Sequence, residues 1–221
     1  MHQSLQKLNY IKNKISEILI EKQLKTNPKI IAITKTFSKN AIYPLLDSGH
    51  IHYGENKIQE AETKWVDIRN KYKSIQLHMV GKLQSNKVKK AIQLFDYIHS
   101  LDNLKLAKLL SRFQNELNKN VKIFIQVNIA EESQKSGIRL SDLENFHNIC
   151  KNELKLNIIG LMCLPPIQIQ SDKYFKVLQE YSKKLNLNNL SMGMSSDYEQ
   201  AILCGSTYLR LGTAIFGERS N

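Results

Sequence analysis

The sequence has few cysteines, few arginines and no long apolar run, and each shortage excludes a class of protein. Cys150, Cys163 and Cys204 are too few and too scattered for a disulfide framework or a Cys-x-x-Cys metal site. We therefore predict no metal and three buried thiols. No apolar stretch is long enough to span a bilayer, and the first residues lack the basic-then-apolar layout of a secretory signal. These absences predict a cytoplasmic chain with no membrane association.

The basic charge is carried almost entirely by lysine. Lys and Arg together number 32 against 20 Asp and Glu, a formal net charge of +12, yet only five of the 32 are arginine. Clustered basic residues neutralise nucleic-acid phosphates, and arginine is the usual base-reading side chain. Here the lysines are spread over the whole length, beside many Asn and Ile residues. We interpret the charge as a compositional bias and do not expect a nucleic-acid partner.

Apolar spacing indicates one α/β domain. Apolar residues at helical spacing predict an amphipathic N-terminal helix: Leu5, Leu8, Ile11, Ile15 and Ile18. After Pro28, short β-rich runs alternate with helical stretches, as in βα units. We predict strands near 30–34, 51–53, 76–80, 95–98, 121–128, 156–162, 190–192 and 207–211. We predict helices near 40–48, 56–70, 85–93, 103–118, 141–152, 171–186 and 196–204.

This alternation predicts a single (β/α)8 barrel over residues 1–221 with an extra N-terminal helix; a doubly wound open sheet is the alternative. The run Val121–Ile129 alternates strictly, so aliphatic side chains would face the helices. Lys122, Phe124, Gln126 and Asn128 would face the barrel interior. No Gly-x-Gly-x-x-Gly follows the first strand, as a Rossmann half would usually show. Both features favour the barrel.

Two basic side chains are predicted to point inward near the carboxyl ends of strands, where the active sites of such barrels lie. Counting by twos along the first strand puts Lys35 on the face of Ile31 and Ile33, over the barrel mouth. A desolvated lysine there is a carbonyl-trapping nucleophile, although a solvated lysine at a strand end is the more common case. The same alternation in the last strand turns Arg210 inward.

An anion site is predicted beside Arg210, because a buried guanidinium needs a partner that accepts hydrogen bonds. Gly212 and Thr213 follow the eighth strand, and loops after strands seven and eight commonly bind phosphate in such barrels. Ser195 and Ser196 precede a predicted helix whose N-terminus attracts an anion. Both serines could instead be simple N-caps.

Six segments resemble the pyridoxal 5'-phosphate (PLP) homeostasis proteins, in an order and spacing that span nearly the whole chain: Ile31–Thr36, Tyr53–Glu60, His78–Lys87, Gly160–Pro166, Leu190–Ser195 and Arg210–Gly217. The resemblance implies a barrel similar to the N-terminal domain of alanine racemase, with PLP as cofactor held on Lys35 as a Schiff base. It implies a carrier in vitamin B6 homeostasis and not an enzyme. We expect PLP and other B6 vitamers as ligands, recipient apo-enzymes as partners, and a monomeric chain.

The resemblance also implies which residues line the cofactor: Lys35, Asn56, His78, Met162, Ser195, Arg210, Gly212 and Thr213. Arg210 would meet the pyridine nitrogen, and Ser195, Gly212 and Thr213 would line the phosphate. For His78 a role in satisfying the core is an equal alternative. Members of the family often have Lys-Thr followed by a basic residue and proline, but here Phe37-Ser38 follows Lys35-Thr36. The comparison therefore leaves the geometry just after Lys35 open.

A PLP-dependent racemase-like enzyme is the alternative function. It would need an acid/base pair on both faces of the substrate. Alanine racemases supply one base from a second β-rich domain, and only four residues follow Gly217 here. We therefore expect no comparable catalysis.

Overall fold

A computed structural model describes residues 2–132, 134–166 and 170–218, and its strands close into a parallel barrel. The strands follow one another around the barrel in chain order, and the eighth pairs with the first. They are β1 (Lys29–Ile33), β2 (His52–Glu55), β3 (Gln76–Met79), β4 (Tyr97–Leu101), β5 (Lys122–Val127), β6 (Ile158–Cys163), β7 (Asn189–Met194) and β8 (Tyr208–Leu211). The predicted closed barrel is confirmed, and the open-sheet alternative is wrong.

Helices follow the strands, as predicted. The described residues form α1 (Gln3–Glu21), α2 (Lys39–Asp47), α3 (Ile58–Lys71), α4 (Val88–Leu94), α5 (Leu104–Glu116), α6 (Leu143–Asn148), α7 (Ser171–Lys184), α8 (Tyr198–Leu203) and α9 (Thr213–Phe216). The helix predicted near 141–152 is composite, with a 3-10 turn before α6 and a π-helical turn, Ile149–Glu153, after it. The short helix α9 was not predicted, because four residues give no readable period.

The fourth strand was predicted too early, at 95–98, whereas β4 begins at Tyr97. Phe95 is fully buried but caps the end of α4. The Asp96 carboxylate accepts a hydrogen bond from the Leu77 amide and pairs with Arg69. In the sequence, the buried Phe95 and the paired Asp96 resemble the first residues of a strand. This resemblance explains why the strand was predicted to begin two residues too early.

Strand alternation separates two cores, as predicted. The inner cluster comprises Ile31, Ile33, Tyr97, Phe124, Met162 and Tyr208, while the larger outer core lies between strands and helices. Gly54 makes room for the inner cluster, because a Cβ there would lie 2.6 Å from Ile33 Cδ1 and 2.9 Å from Ile31 Cγ2. Lys35 therefore follows a strand whose inward face is the one that the alternation predicted.

Helix α1 buries the predicted face, through Leu8, Ile11 and Ile15, and packs against α2, α8 and α9.

The three cysteines are buried thiols, as predicted. Within the described residues, no helix combines the length and the apolar character that crossing a membrane requires.

Candidate functional site

Five of the eight predicted site residues lie at the carboxyl ends of strands, on one rim of the barrel. Lys35 and Asn56 follow the neighbouring strands β1 and β2, Ser195 follows β7, and Gly212 and Thr213 follow β8. Asn56 also lies close to the loop after β3, because a Cβ at Gly81 would lie only 2.4 Å from its carbonyl oxygen. Parallel strands bring these five positions to the same face of the molecule.

Arg210 lies just inside this rim, and its guanidinium is buried with 5% exposure. Its Nη1 donates to Ser191 Oγ at 2.7 Å, and its Nη2 donates to the Cys163 carbonyl at 2.9 Å. No ion pair joins Arg210 to a carboxylate of the described residues. Burial lowers the pKa of Arg210, and burial also raises the pKa of the Cys163 thiol to about 12, so that thiol stays neutral. Among the described residues, neutral acceptors therefore hold this buried cation directly.

The register of the β1–β8 pair shows where Arg210 lies relative to Lys35. Arg210 pairs with Ile31 across the β1–β8 ladder, and Lys35 comes four residues after Ile31. Arg210 occupies an inward position of β8, and Lys35 lies two residues beyond the end of β1, nearer the rim. The half-buried lysine and the buried arginine thus share one wall of the barrel mouth.

Ser195 ties the β7 loop to α9, since its Oγ accepts a hydrogen bond of 3.1 Å from the Ala214 amide. The same loop is fixed by Asp197, whose carboxylate accepts from the Met194 amide at 2.6 Å. Gly212 and Thr213 form the start of α9, where amide groups have no intrahelical acceptor. Hydroxyl and amide donors are therefore brought together here, as an anion site requires.

The segment after Lys35 is held without a proline. Thr36 has a φ of 69°, a left-handed conformation that is strained for a β-branched residue. Its amide donates to Glu60 Oε1 at 2.5 Å. Phe37 closes a turn onto the Thr34 carbonyl and packs on Phe216, with ring centroids 4.7 Å apart. An aromatic contact to α9 thus fixes the loop whose geometry the comparison left open.

A buried ionic cluster lies behind this loop, outside the barrel wall; we call Thr34, Glu55, Glu60, Lys64 and Trp65 the Lys64 cluster. Glu55 Oε1 accepts hydrogen bonds from Thr34 Oγ1, Lys64 Nζ and Trp65 Nε1, at 2.6, 2.9 and 3.0 Å. Lys64 also donates to the Thr34 carbonyl at 2.7 Å and to Glu60 Oε1 at 2.9 Å. The cluster therefore fixes the backbone on both sides of Lys35.

The remaining two predicted residues lie deeper. Met162 is fully buried in the inner cluster on β6. His78 is also fully buried, stacks on Tyr97 at 4.1 Å, and is hydrogen-bonded to the rings of His52 and His99. The structure does not bring His78 to the rim, and its surroundings fit the core alternative. Sequence reasoning did not single out His52 or His99, although their inward positions follow from strand alternation.

Comparison with known proteins identifies the class of this barrel. Residues 8–220 match the family model described as alanine racemase, N-terminal domain. A protein of Pasteurella multocida named pyridoxal phosphate homeostasis protein is 34% identical over 201 residues, which cover 86% of each chain. A Synechocystis protein of the same name is 36% identical over 200 residues, covering 86% of this chain and 91% of its own. The chain belongs to the pyridoxal phosphate homeostasis protein family, which confirms the resemblance of the six segments.

Solved structures agree with this assignment. PipY of Synechococcus elongatus PCC7942 is 32% identical, and the match covers 92% of this chain and 100% of PipY. The TM-score is 0.82 for PipY without PLP and 0.80 for PipY with PLP bound. The relative with a bound cofactor therefore has the same fold over its whole length.

Proposed function

We propose that this chain binds PLP as a Schiff base on Lys35 and holds it in reserve for other proteins. When bound, PLP supplies an aldehyde that condenses reversibly with an amine. The observation that carries the proposal is the wall formed by β1 and β8, where Lys35 lies at the rim beyond β1 and, within the described part of the chain, neutral acceptors hold the buried Arg210 guanidinium. Such a wall fits a ligand that offers a carbonyl, a hydrogen-bond acceptor and an anion. PLP offers all three, and PipY has PLP bound.

Seven of the eight predicted residues would hold the cofactor in this proposal. Lys35 would hold the cofactor through an imine between its amine and the aldehyde carbon, formed with loss of water. Arg210 would donate a hydrogen bond to the ring nitrogen. The Ser195 hydroxyl and the amides of Gly212 and Thr213 would donate to the phosphate. Asn56 would border the opening, and Met162 would contact the cofactor from β6.

Absorption spectroscopy with borohydride reduction tests the proposal. Titrating the purified protein with PLP should give a yellow, reducible adduct, and mass spectrometry of the reduced protein should locate the pyridoxyl group on Lys35. A pyridoxyl group found mainly on another lysine would show that the assignment is wrong. A protein that gives no adduct at all would contradict the proposed cofactor.

The phosphate is expected to act as the anchor, so PLP should bind at least tenfold more tightly than pyridoxal. Charge-assisted hydrogen bonds contribute about 1.5–3 kcal/mol each, and about 1.4 kcal/mol is a factor of ten. The measurement is a pair of titrations at fixed salt, because the net charge of +12 attracts any anion at low ionic strength.

Ser195 and its neighbour Ser196 provide a variant and a matched control for the proposed phosphate contact. Ser195 contacts α9, whereas Ser196 is exposed. Ser195→Ala should reduce the preference for PLP severalfold, and Ser196→Ala should leave it unchanged. Equal affinity of the wild-type protein for PLP and pyridoxal would contradict the anchor.

We also propose that the chain is a carrier and not an enzyme, in line with the homeostasis proteins that its relatives are named as. The guanidinium of Arg210 stays protonated and only donates, so a ring nitrogen facing it remains unprotonated. An unprotonated ring withdraws electrons poorly, and cofactor enzymes rely on the protein to tune those electronics. We expect α-proton exchange far below the usual enzymatic rates of about 1–1000 per second.

Deuterium exchange measures this directly. L- and D-amino acids incubated with PLP-loaded protein in deuterated water should exchange their α-protons no faster than with the Lys35→Ala variant. Exchange at tens of turnovers per second that depends on Lys35 would favour the racemase-like alternative instead.

A further inference from the structure

A line of hydrogen-bonded side chains runs through the barrel interior, and we call Arg210, Ser191, His99, His78 and His52 the histidine line. Arg210 Nη1 lies 2.7 Å from Ser191 Oγ, which lies 2.8 Å from His99 Nδ1. His99 Nε2 lies 2.9 Å from His78 Nδ1, and His78 Nε2 lies 3.0 Å from His52 Nδ1. None of the five residues is more than 8% exposed, so water competes little for these bonds.

Arg210 fixes the direction of every bond in the line. A guanidinium has only donors, so Ser191 Oγ accepts from Arg210. The hydroxyl is fully buried, and among the described residues His99 Nδ1 is its one other hydrogen-bond partner, so its own hydrogen is satisfied only by donating to His99 Nδ1. A neutral ring whose Nδ1 accepts carries its proton on Nε2, so His99 donates to His78 Nδ1. By the same step His78 donates to His52. All three imidazoles then carry their proton on Nε2, and the Nδ1 of each ring accepts the hydrogen bond that comes from the direction of Arg210.

Neutral rings agree with their surroundings. Burial, followed by the neighbouring charge of Arg210, holds the pKa of His99 well below its usual value. Burial is also the main cause that lowers the pKa of His78, and burial with Lys29 and Lys122 lowers the pKa of His52 to about 4. A protonated ring would add a second cation to the line beside Arg210.

The geometry points to Ser191, His99 and His78 as positioning residues that hold the Arg210 guanidinium in the cofactor site without a carboxylate. Aligned hydrogen-bond dipoles polarise one another, and acceptor ends turned toward a buried cation stabilise it. A carboxylate in their place would neutralise the cation, whereas the histidine line leaves its full charge for a ligand. The line is not a proton path to the ligand, because Arg210, the member in the cofactor site, does not release a proton.

The tautomers are tested first, without PLP. Long-range proton–nitrogen NMR of protein labelled with 15N-histidine should show Nε2–H for His78 and His99. In Arg210→Met the obligatory donor is gone, so the tautomer of His99 should become mixed or reverse. If His99 only filled the core, its tautomer would not depend on whether residue 210 is arginine. Protonation of His99 at Nδ1 in the wild-type protein would overturn the inference.

The effect on the cofactor is tested next, and this part rests on the proposed function. Ser191→Ala removes the link between Arg210 and His99, and we expect PLP to bind at least tenfold more weakly with a shifted absorption band. Ser206→Ala is the matched control, because Ser206 is equally buried but donates to the Met192 carbonyl at 2.7 Å. It should change PLP affinity less than twofold and leave the His99 tautomer as it is.

The outcomes separate the two proposals. A wild-type protein that binds no PLP contradicts the proposed function, while the NMR result still decides whether the histidine line has its predicted direction. If the wild-type protein binds PLP and Ser191→Ala binds it as tightly, the positioning role is wrong and the cofactor proposal stands.

Discussion

Replacing Lys35 by alanine is expected to abolish the covalent PLP adduct and to change the free energy of unfolding by less than about 1 kcal/mol. Lys35 is half-buried at the rim, after the last residue of β1, and the inner cluster is complete without it. No imine forms without its amine, but the phosphate contacts would remain. Weak, non-covalent PLP binding should therefore persist. Absorption spectra before and after borohydride reduction measure the adduct, and urea unfolding measures the stability.

Lys39 provides the control for this substitution. It lies four residues further along the chain, at the start of α2, and forms an ion pair of 3.1 Å with Asp67. Lys39→Ala removes an equal positive charge near the mouth but no predicted cofactor contact, so its adduct should match that of the wild-type protein. A reducible adduct of normal yield in Lys35→Ala would refute the Schiff-base assignment.

Period-two alternation explains why much of the barrel could be predicted from sequence. The aliphatic face of β5 and the inward turn of Arg210 follow from counting alone, because successive side chains of a barrel strand point alternately to the interior and to the helix layer. The same count applied to β4 turns Tyr97 and His99 inward. Counting does not predict which side chains meet across the barrel. The hydrogen bonds of His99 with His78 and Ser191 could therefore be found only in the folded chain.

The Lys64 cluster was missed for a different reason. A lysine on an amphipathic helix is usually solvated, and Glu60 four residues earlier suggests an ordinary surface pair. Yet Lys64 is only 6% exposed. Its burial depends on β2, where Glu55 follows Gly54 on alternate faces and turns outward beneath α3. The contact between Glu55 on β2 and Lys64 on α3 is a tertiary contact, and the sequence of neither segment predicts it.

The strain at Thr36 is connected with this cluster. A left-handed threonine persists only where its surroundings determine it. Here the Thr36 amide donates to Glu60, Lys64 binds the Thr34 carbonyl, and Thr34 Oγ1 binds Glu55. Burial by itself would raise the pKa of Glu60, but the hydrogen bonds from Lys64 and from the Thr36 amide, together with the charge of Lys64, outweigh it and lower the pKa, so Glu60 accepts as a carboxylate. The ionic cluster therefore supports the backbone that carries Lys35.

Lys64→Met is accordingly expected to lower the free energy of unfolding by about 3–5 kcal/mol, because removing one partner of a buried pair leaves an uncompensated charge. The charge left behind is Glu55, which is fully buried and whose Oε2 has no hydrogen-bond partner within the described residues. Urea unfolding followed by far-UV circular dichroism measures the loss. Fluorescence of Trp65, the single tryptophan of the chain, reports on the cluster itself because its Nε1 donates to Glu55.

Lys176→Met is the matched control, since Lys176 forms the same i,i+4 pair with Asp172 on α7 but is exposed. An exposed helical pair contributes about 0.3–0.5 kcal/mol, so this variant should unfold almost as the wild-type protein does. Adding Glu55→Gln to Lys64→Met removes the unpaired charge and should restore part of the lost stability. Equal losses for Lys64→Met and Lys176→Met would mean that water reaches the Lys64 cluster and screens it. In that case the rigidity of the segment around Lys35 would have to come from Phe37 and its contact with Phe216 instead.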